Sequence, residues 1–184
     1  MKKSIIAVIV VFVFGAIVLF QYSSIYNEAV NNQETVDQSW NDVSAAYQRR
    51  ADLVPQLFET VKGAAKNEKE ILTAVTQARA GIVNAQTPED MQMFGKKINT
   101  AINLAFEAYP QIRSTERFAD LQAQLEGTEN RINKARTDYN ATIKIYNTHI
   151  RGFFTKMILN EEEFPKKEGF QASQGAEKAP EIKF

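Results

Sequence analysis

The chain has 184 residues, 44% hydrophobic and 24% charged, which fits one ordinary domain with attachments. Its 22 basic residues balance 22 acidic ones, so no basic face is available to displace counterions, and a nucleic-acid partner is not expected. The lack of cysteine excludes disulfides, thiolate nucleophiles and Cys-ligated metals, and a composition of eight glycines, five prolines and the single histidine His149 favours long helices over a many-turned sheet.

Ser4 to Asn27 carries no charge, and Ile5 to Phe20 is apolar throughout. At ~1.5 Å per residue that apolar run approaches the ~30 Å hydrocarbon core of a bilayer. A cleaved signal peptide would have a shorter apolar stretch ending in small residues, whereas Phe20, Gln21 and Tyr22 follow here. Residues 1–22 therefore read as a retained, single-pass transmembrane signal anchor with membrane lipid as its first partner. Lys2 and Lys3 precede the span, and the next basic residue is Arg49. This asymmetry places the N-terminus in the cytoplasm and the remainder outside it, with Tyr22 and Tyr26 at the outer interface.

Residues 23–159 read as helical. Val36, Trp40, Val43 and Tyr47 share one helix face up to about residue 50. A second stripe runs through Val54, Phe58, Val61, Ala65, Glu68, Leu72, Val75, Arg79 and Ile82, with Leu57, Ala64, Ile71 and Ala78 beside it. Thr87-Pro88-Glu89-Asp90 has the composition of a helix start: a capping hydroxyl, proline in the first turn and two acids at the positive end of the dipole. The helix it opens carries Met91, Phe94, Ile98, Ala101, Ala105 and Ala108 and ends near Tyr109-Pro110. The last helix has the most regular repeat, with steps of three and four through Phe118, Leu121, Leu125, Thr128, Ile132, Ala135, Tyr139, Thr142, Tyr146, His149 and Phe153. The fold class is thus all-α: a transmembrane helix followed by an elongated antiparallel four-helix bundle with coiled-coil-like packing.

The first two soluble helices could join in two ways. The apolar phase through QRRADLVPQL suits one helix passing Pro55, whereas Asp52 could cap a new helix with Pro55 in its first turn. A hairpin at 50–55 is preferred, because it returns Phe153, Phe154, Met157, Ile158 and Leu159 toward the bilayer. Residues 160–184, with Pro165, Gly169, Gly175, Pro180 and alternating charge, read as an extended tail. Its Phe164, Phe170 and Phe184 are aromatic hooks for a neighbour.

No catalytic, cofactor-binding or metal-binding residues are assigned, and no cofactor is expected. Glu68 falls within an apolar stripe, where an unpaired carboxylate is costly, so an ion pair with Arg131 or Arg136 of the last helix is expected. His149 lies on its own stripe with no second ligand and reads as a core histidine. Gly127, inside a helix, suggests a close helix approach. Tyr139 and Tyr146, each followed by Asn, read as core rings with polar tips, and Tyr26-Asn27 repeats the pair.

The blocks YN at 26–27, RRADLVPQLFETVKGAAKNE at 49–68, AR at 78–79, EAYP at 107–110, FADLQAQLEGTENRINKARTDYN at 118–140, YN at 146–147 and GF at 169–170 occur in an order that resembles the LemA family of bacterial membrane-anchored proteins. Where that family often has Asn, His and Pro, this chain carries Gln56, Asn67 and Phe154. The resemblance implies one N-terminal transmembrane helix, a four-helix domain and no established catalysis; with the charge asymmetry around the span, the expected location is the bacterial inner (cytoplasmic) membrane. The functional expectation is a non-enzymatic, self-assembling structural or scaffolding protein of the envelope. The alternative is an accessory binder that recruits or regulates another envelope protein, such as a membrane protease. Homo-oligomerisation is expected, with Phe153, Phe154, Phe164, Phe170 and Phe184 as its candidate residues.

Overall fold

The computed structural model describes residues 2–61, 68–108 and 116–171. Every element among them is helical: α1 (Lys2–Val61), α2 (Glu68–Asn84), α3 (Pro88–Ala108), α4 (Glu116–Ile150) and the short α5 (Phe153–Ile158). The chain divides into two units, Met1–Asn41 with Ala141–Lys167, and Asp42–Asn140 with Glu168–Phe184.

The hairpin expected at 50–55 is absent, because α1 continues through Pro55. Proline in a helix interior removes one backbone hydrogen bond and typically costs about 3 kcal/mol. Burial around it offsets that cost: Ala51, Leu53, Val54 and Leu57 are all at most 4% exposed. Each fully buried Val or Leu contributes ~1.5–3 kcal/mol. The second stripe is therefore divided between two helices. Val54 and Leu57 belong to α1, and a new buried face begins with Ile71, Val75, Ala78 and Ile82 on α2.

In the first unit the apolar run of α1 is exposed along its length, and the helix is apolar and long enough to cross a membrane. Past that run, α4 lies antiparallel to α1, since the Ser39 and Thr142 hydroxyls meet at 2.8 Å and His149 reaches the Ile25 carbonyl. Ala29, Val36, Ile143, Tyr146 and Phe164 form the core there.

The second unit is built on the remainder of α1 and α4 with α2 and α3. Its core contains Val43, Tyr47, Ile98, Ala105, Leu121, Leu125 and Ile132. The expected cap of α3 is present: Thr87 Oγ1 accepts from the Asp90 amide at 3.1 Å and donates to Asp90 Oδ2 at 2.7 Å. Close approach occurs at two glycines that the sequence did not single out. A Cβ on Gly81 would run into the Phe94 ring, and one on Gly95 into the Tyr47 ring. Gly127, expected to permit such an approach, has nothing within 4 Å of the corresponding position.

These surroundings give opposite expectations for one substitution. Gly127→Ala should stabilise the chain by about 0.5–1 kcal/mol through helix propensity alone. Gly95→Ala gains the same propensity but displaces Tyr47, and a net loss is expected. Chemical denaturation of the detergent-solubilised chain checks both, and a destabilised Gly127→Ala would contradict the open space at that position.

Candidate functional site

The sequence places an ionisable residue on the core stripe at Arg50, three residues after Tyr47 and four before Val54. In the second unit its side chain is only 12% exposed, and its donors converge on α3 and α4. Nε donates to Asn99 Oδ1 at 2.7 Å, and Nη1 donates to the Leu125 carbonyl at 2.8 Å and to Thr128 Oγ1 at 3.2 Å. Glu129 Oε2 lies 3.2 Å from the same Nη1. Burial lowers the pKa of the guanidinium while Glu129 raises it, and the arginine stays charged. Thr128 also donates to the Leu125 carbonyl at 2.8 Å, so one backbone oxygen anchors both side chains.

Beside Arg50 is a cleft of about 670 Å³, lined by Asn99, Asn103, Phe106, Phe118, Gln122 and Glu129 among others. Its carboxamides and carboxylates can hydrogen-bond a polar ligand, but Arg50 already directs its donors into the fold. Among the described residues no three His, Asp or Glu side chains group as a metal site.

An ion pair is expected at Glu68. Glu68 opens α2, but its side chain lies outside the described residues. Arg131 is exposed, and Arg136 is engaged elsewhere, donating to the Gln171 carbonyl at 3.2 Å with its guanidinium 5.0 Å from the Phe170 ring centre. His149 acts as a clasp between helices in the first unit. Its Nε2 lies 3.2 Å from the Ile25 carbonyl, which can only accept, and its Nδ1 lies 3.4 Å from Glu28 Oε1.

The tail folds back onto its own chain. Phe164 and Phe170 are 3% and 7% exposed, with Phe164 set edge-on against Tyr26 and Phe170 against Tyr139. These two rings are not exposed hooks. Phe153 and Phe154 remain 76% and 69% exposed, and Phe184 lies outside the described residues.

The Tyr-Asn pairs of α4 account for this docking. In the first unit Tyr146 donates to the Pro165 carbonyl at 3.0 Å, and the Asn147 amide both donates to the Lys167 carbonyl at 2.9 Å and accepts from the Lys167 amide at 3.1 Å. In the second unit Tyr139 donates to the Glu168 carbonyl at 3.4 Å, and Asn140 both donates to the Phe170 carbonyl at 2.9 Å and accepts from its amide at 2.8 Å. Seven helical residues rise ~10.5 Å and three extended residues ~10 Å, so a heptad repeat of Tyr-Asn matches a three-residue repeat of tail backbone. Burial raises the pKa of both Tyr47 and Tyr146 above that of a free phenol, which keeps Tyr146 a donor. The Tyr26-Asn27 pair behaves differently, since Tyr26 donates to Glu163 Oε1 at 2.6 Å.

The LemA family model matches residues 39–184, which covers the greater part of the chain. Protein LemA of Metamycoplasma hominis is 23% identical over 159 residues, spanning 84% of this chain and 73% of the relative. The chain belongs to the LemA family.

Two expectations follow. Arg50→Met removes charge-assisted hydrogen bonds and should cost ~2–3 kcal/mol, whereas Glu129→Gln, at a half-exposed carboxylate, should cost under ~1 kcal/mol. Equal losses in denaturant melts would show that the ion pair, rather than the hydrogen bonds, carries the stability. Asn147→Asp and Asn140→Asp keep shape but set an acceptor against a tail carbonyl. Each should speed tryptic cleavage after Lys166 and Lys167 while leaving helix content unchanged by circular dichroism.

Proposed function

We propose that this LemA-family chain is a membrane-anchored, non-catalytic scaffolding protein of the bacterial envelope that acts by self-association. The supporting observation is that the exposed apolar run and the Val36–Val43–Tyr47 core face belong to one helix, α1, so the candidate anchor enters the folded region without a flexible linker. The charge asymmetry of Lys2 and Lys3 against a first later basic residue at Arg49 supports a cytoplasmic N-terminus at the inner membrane and an extracytoplasmic bundle of four antiparallel helices. An anchor of this kind confines copies to a plane and raises their effective concentration.

Intramolecular burial of Phe164 and Phe170 moves the contact surface elsewhere, to the groove between α2 and α3. That groove, about 690 Å³, exposes Met93 and Leu104 over Ile71, Ala74 and Ala101. Glu70 stands on its α2 edge and Lys96 and Lys97 on its α3 edge. A second copy related by a two-fold axis would bring each acid to the partner's bases, which favours this chain as the occupant.

Sedimentation of the full chain in detergent tests the proposal. The parent should sediment as an assembly, and Met93→Glu with Leu104→Glu should reduce it toward monomer with unchanged helix content. A parent that sediments at monomer mass refutes self-association.

A further inference from the structure

The chain between α4 and the docked tail has an exposed apolar surface that the packing leaves uncovered. Phe153, Phe154 and Met157 are 76%, 69% and 74% exposed, and the two rings pack edge to face at 5.2 Å. A soluble domain rarely gathers three such side chains on one short turn of helix without a partner for them.

Their position within the first unit identifies that partner. His149, at the end of α4, bonds the Ile25 carbonyl, and Phe164, at the start of the tail, packs on Tyr26. The chain thus leaves α4 and enters the tail at the same level of α1. Because α4 runs antiparallel to α1, the segment between them turns on the side facing the apolar run that ends at Phe20. Tyr22 and Tyr26, stacked with ring centres 6.4 Å apart, mark the aqueous end of that run.

We infer that α5 is a second membrane contact, with Phe153, Phe154 and Met157 inserted at the headgroup–acyl boundary beside the transmembrane segment. This rests on the anchor reading proposed above. The occupant is the bilayer because the patch continues the level at which the apolar surface of α1 meets water. Insertion is apolar rather than electrostatic, since Lys156 lies 4.0 Å from Glu161 and the basic Arg151, Lys156 and Lys166 are balanced in number by Glu161, Glu162 and Glu163, leaving no net positive charge on this stretch. The chain departs from α4 at Gly152, whose amide returns to the His149 carbonyl at 3.0 Å. Thr155, buried on the opposite face of α5, fixes the direction of the exposed side.

The lack of native cysteine makes any introduced one a unique attachment point. Nitroxide labels are placed on full-length Phe154→Cys, Met157→Cys, Phe12→Cys and Thr137→Cys, each reconstituted in phosphatidylcholine vesicles. Their collision rates with oxygen and with a water-soluble nickel chelate are compared. The ratio of oxygen to nickel accessibility should be several-fold higher at 154 and 157 than at the exposed position 137, and highest at 12. Met157→Cys keeps both rings, so it guards against loss of insertion by the label itself. A deep reading at 12 with water-like readings at 154 and 157 overturns the inference and leaves the anchor intact. Low accessibility to both reagents at 154 and 157 indicates protein packing and also overturns it. A water-like reading at 12 removes the anchor and the inference together.

Discussion

A helix whose apolar positions recur every three and four residues must be covered along its whole seam, and that requirement organises this molecule. The seam is on α4, where Leu121, Leu125, Ile132, Tyr139 and Tyr146 are all buried. In the first unit α1 covers it, through Ser39 against Thr142 and Ile25 against His149. In the second unit Arg50 reaches across to the carbonyl of Leu125. Where helices leave the seam uncovered, the extended tail lies over it with Phe164 and Phe170.

The tail poses a problem of backbone chemistry. An extended segment with no neighbouring strand has amide and carbonyl groups that no ladder satisfies. A side-chain carboxamide presents one donor and one acceptor in the arrangement of a peptide group, so Asn147 and Asn140 each substitute for a strand partner at one residue. Aspartate or glutamate could supply the acceptor but not the donor. The tyrosine preceding each asparagine extends its hydroxyl to the next free carbonyl while its ring stays in the core.

Much of this was legible in the sequence, and the errors have specific causes. The apolar spacing of α4 and the Thr87 cap of α3 are local patterns; the cap is as expected, and the buried repeat holds from Phe118 to Tyr146, but α4 ends at Ile150 and Phe153, the expected last member of the repeat, is 76% exposed. The LemA resemblance, stated from its blocks, is confirmed by the family match. Pro55 suggests a break, but a proline flanked by four buried apolar residues can remain inside a helix. Glu68 stands out for lying on a stripe, and the same spacing argument singles out Arg50, which continues the Val43–Tyr47 stripe. The tail hooks were given to a neighbour because nothing in an isolated stretch of 160–184 reveals its cover. That information lay in the heptad recurrence of Tyr-Asn on a different element.

The clamps also impose an order on biosynthesis. Translation proceeds from the N-terminus, so Tyr139, Asn140, Tyr146 and Asn147 leave the ribosome before the residues that complete them. Until Pro165 to Phe170 emerges, those polar tips face water and the rings beneath them lack part of their cover. Fixing each tail residue costs ~1–2 kcal/mol of backbone entropy, which six polar contacts and two buried phenylalanines must offset at once. A nascent chain ending before Phe164 lacks the backbone groups that these four side chains bond, so the stretch of the α4 seam over Tyr139 and Tyr146 has no tail to cover it.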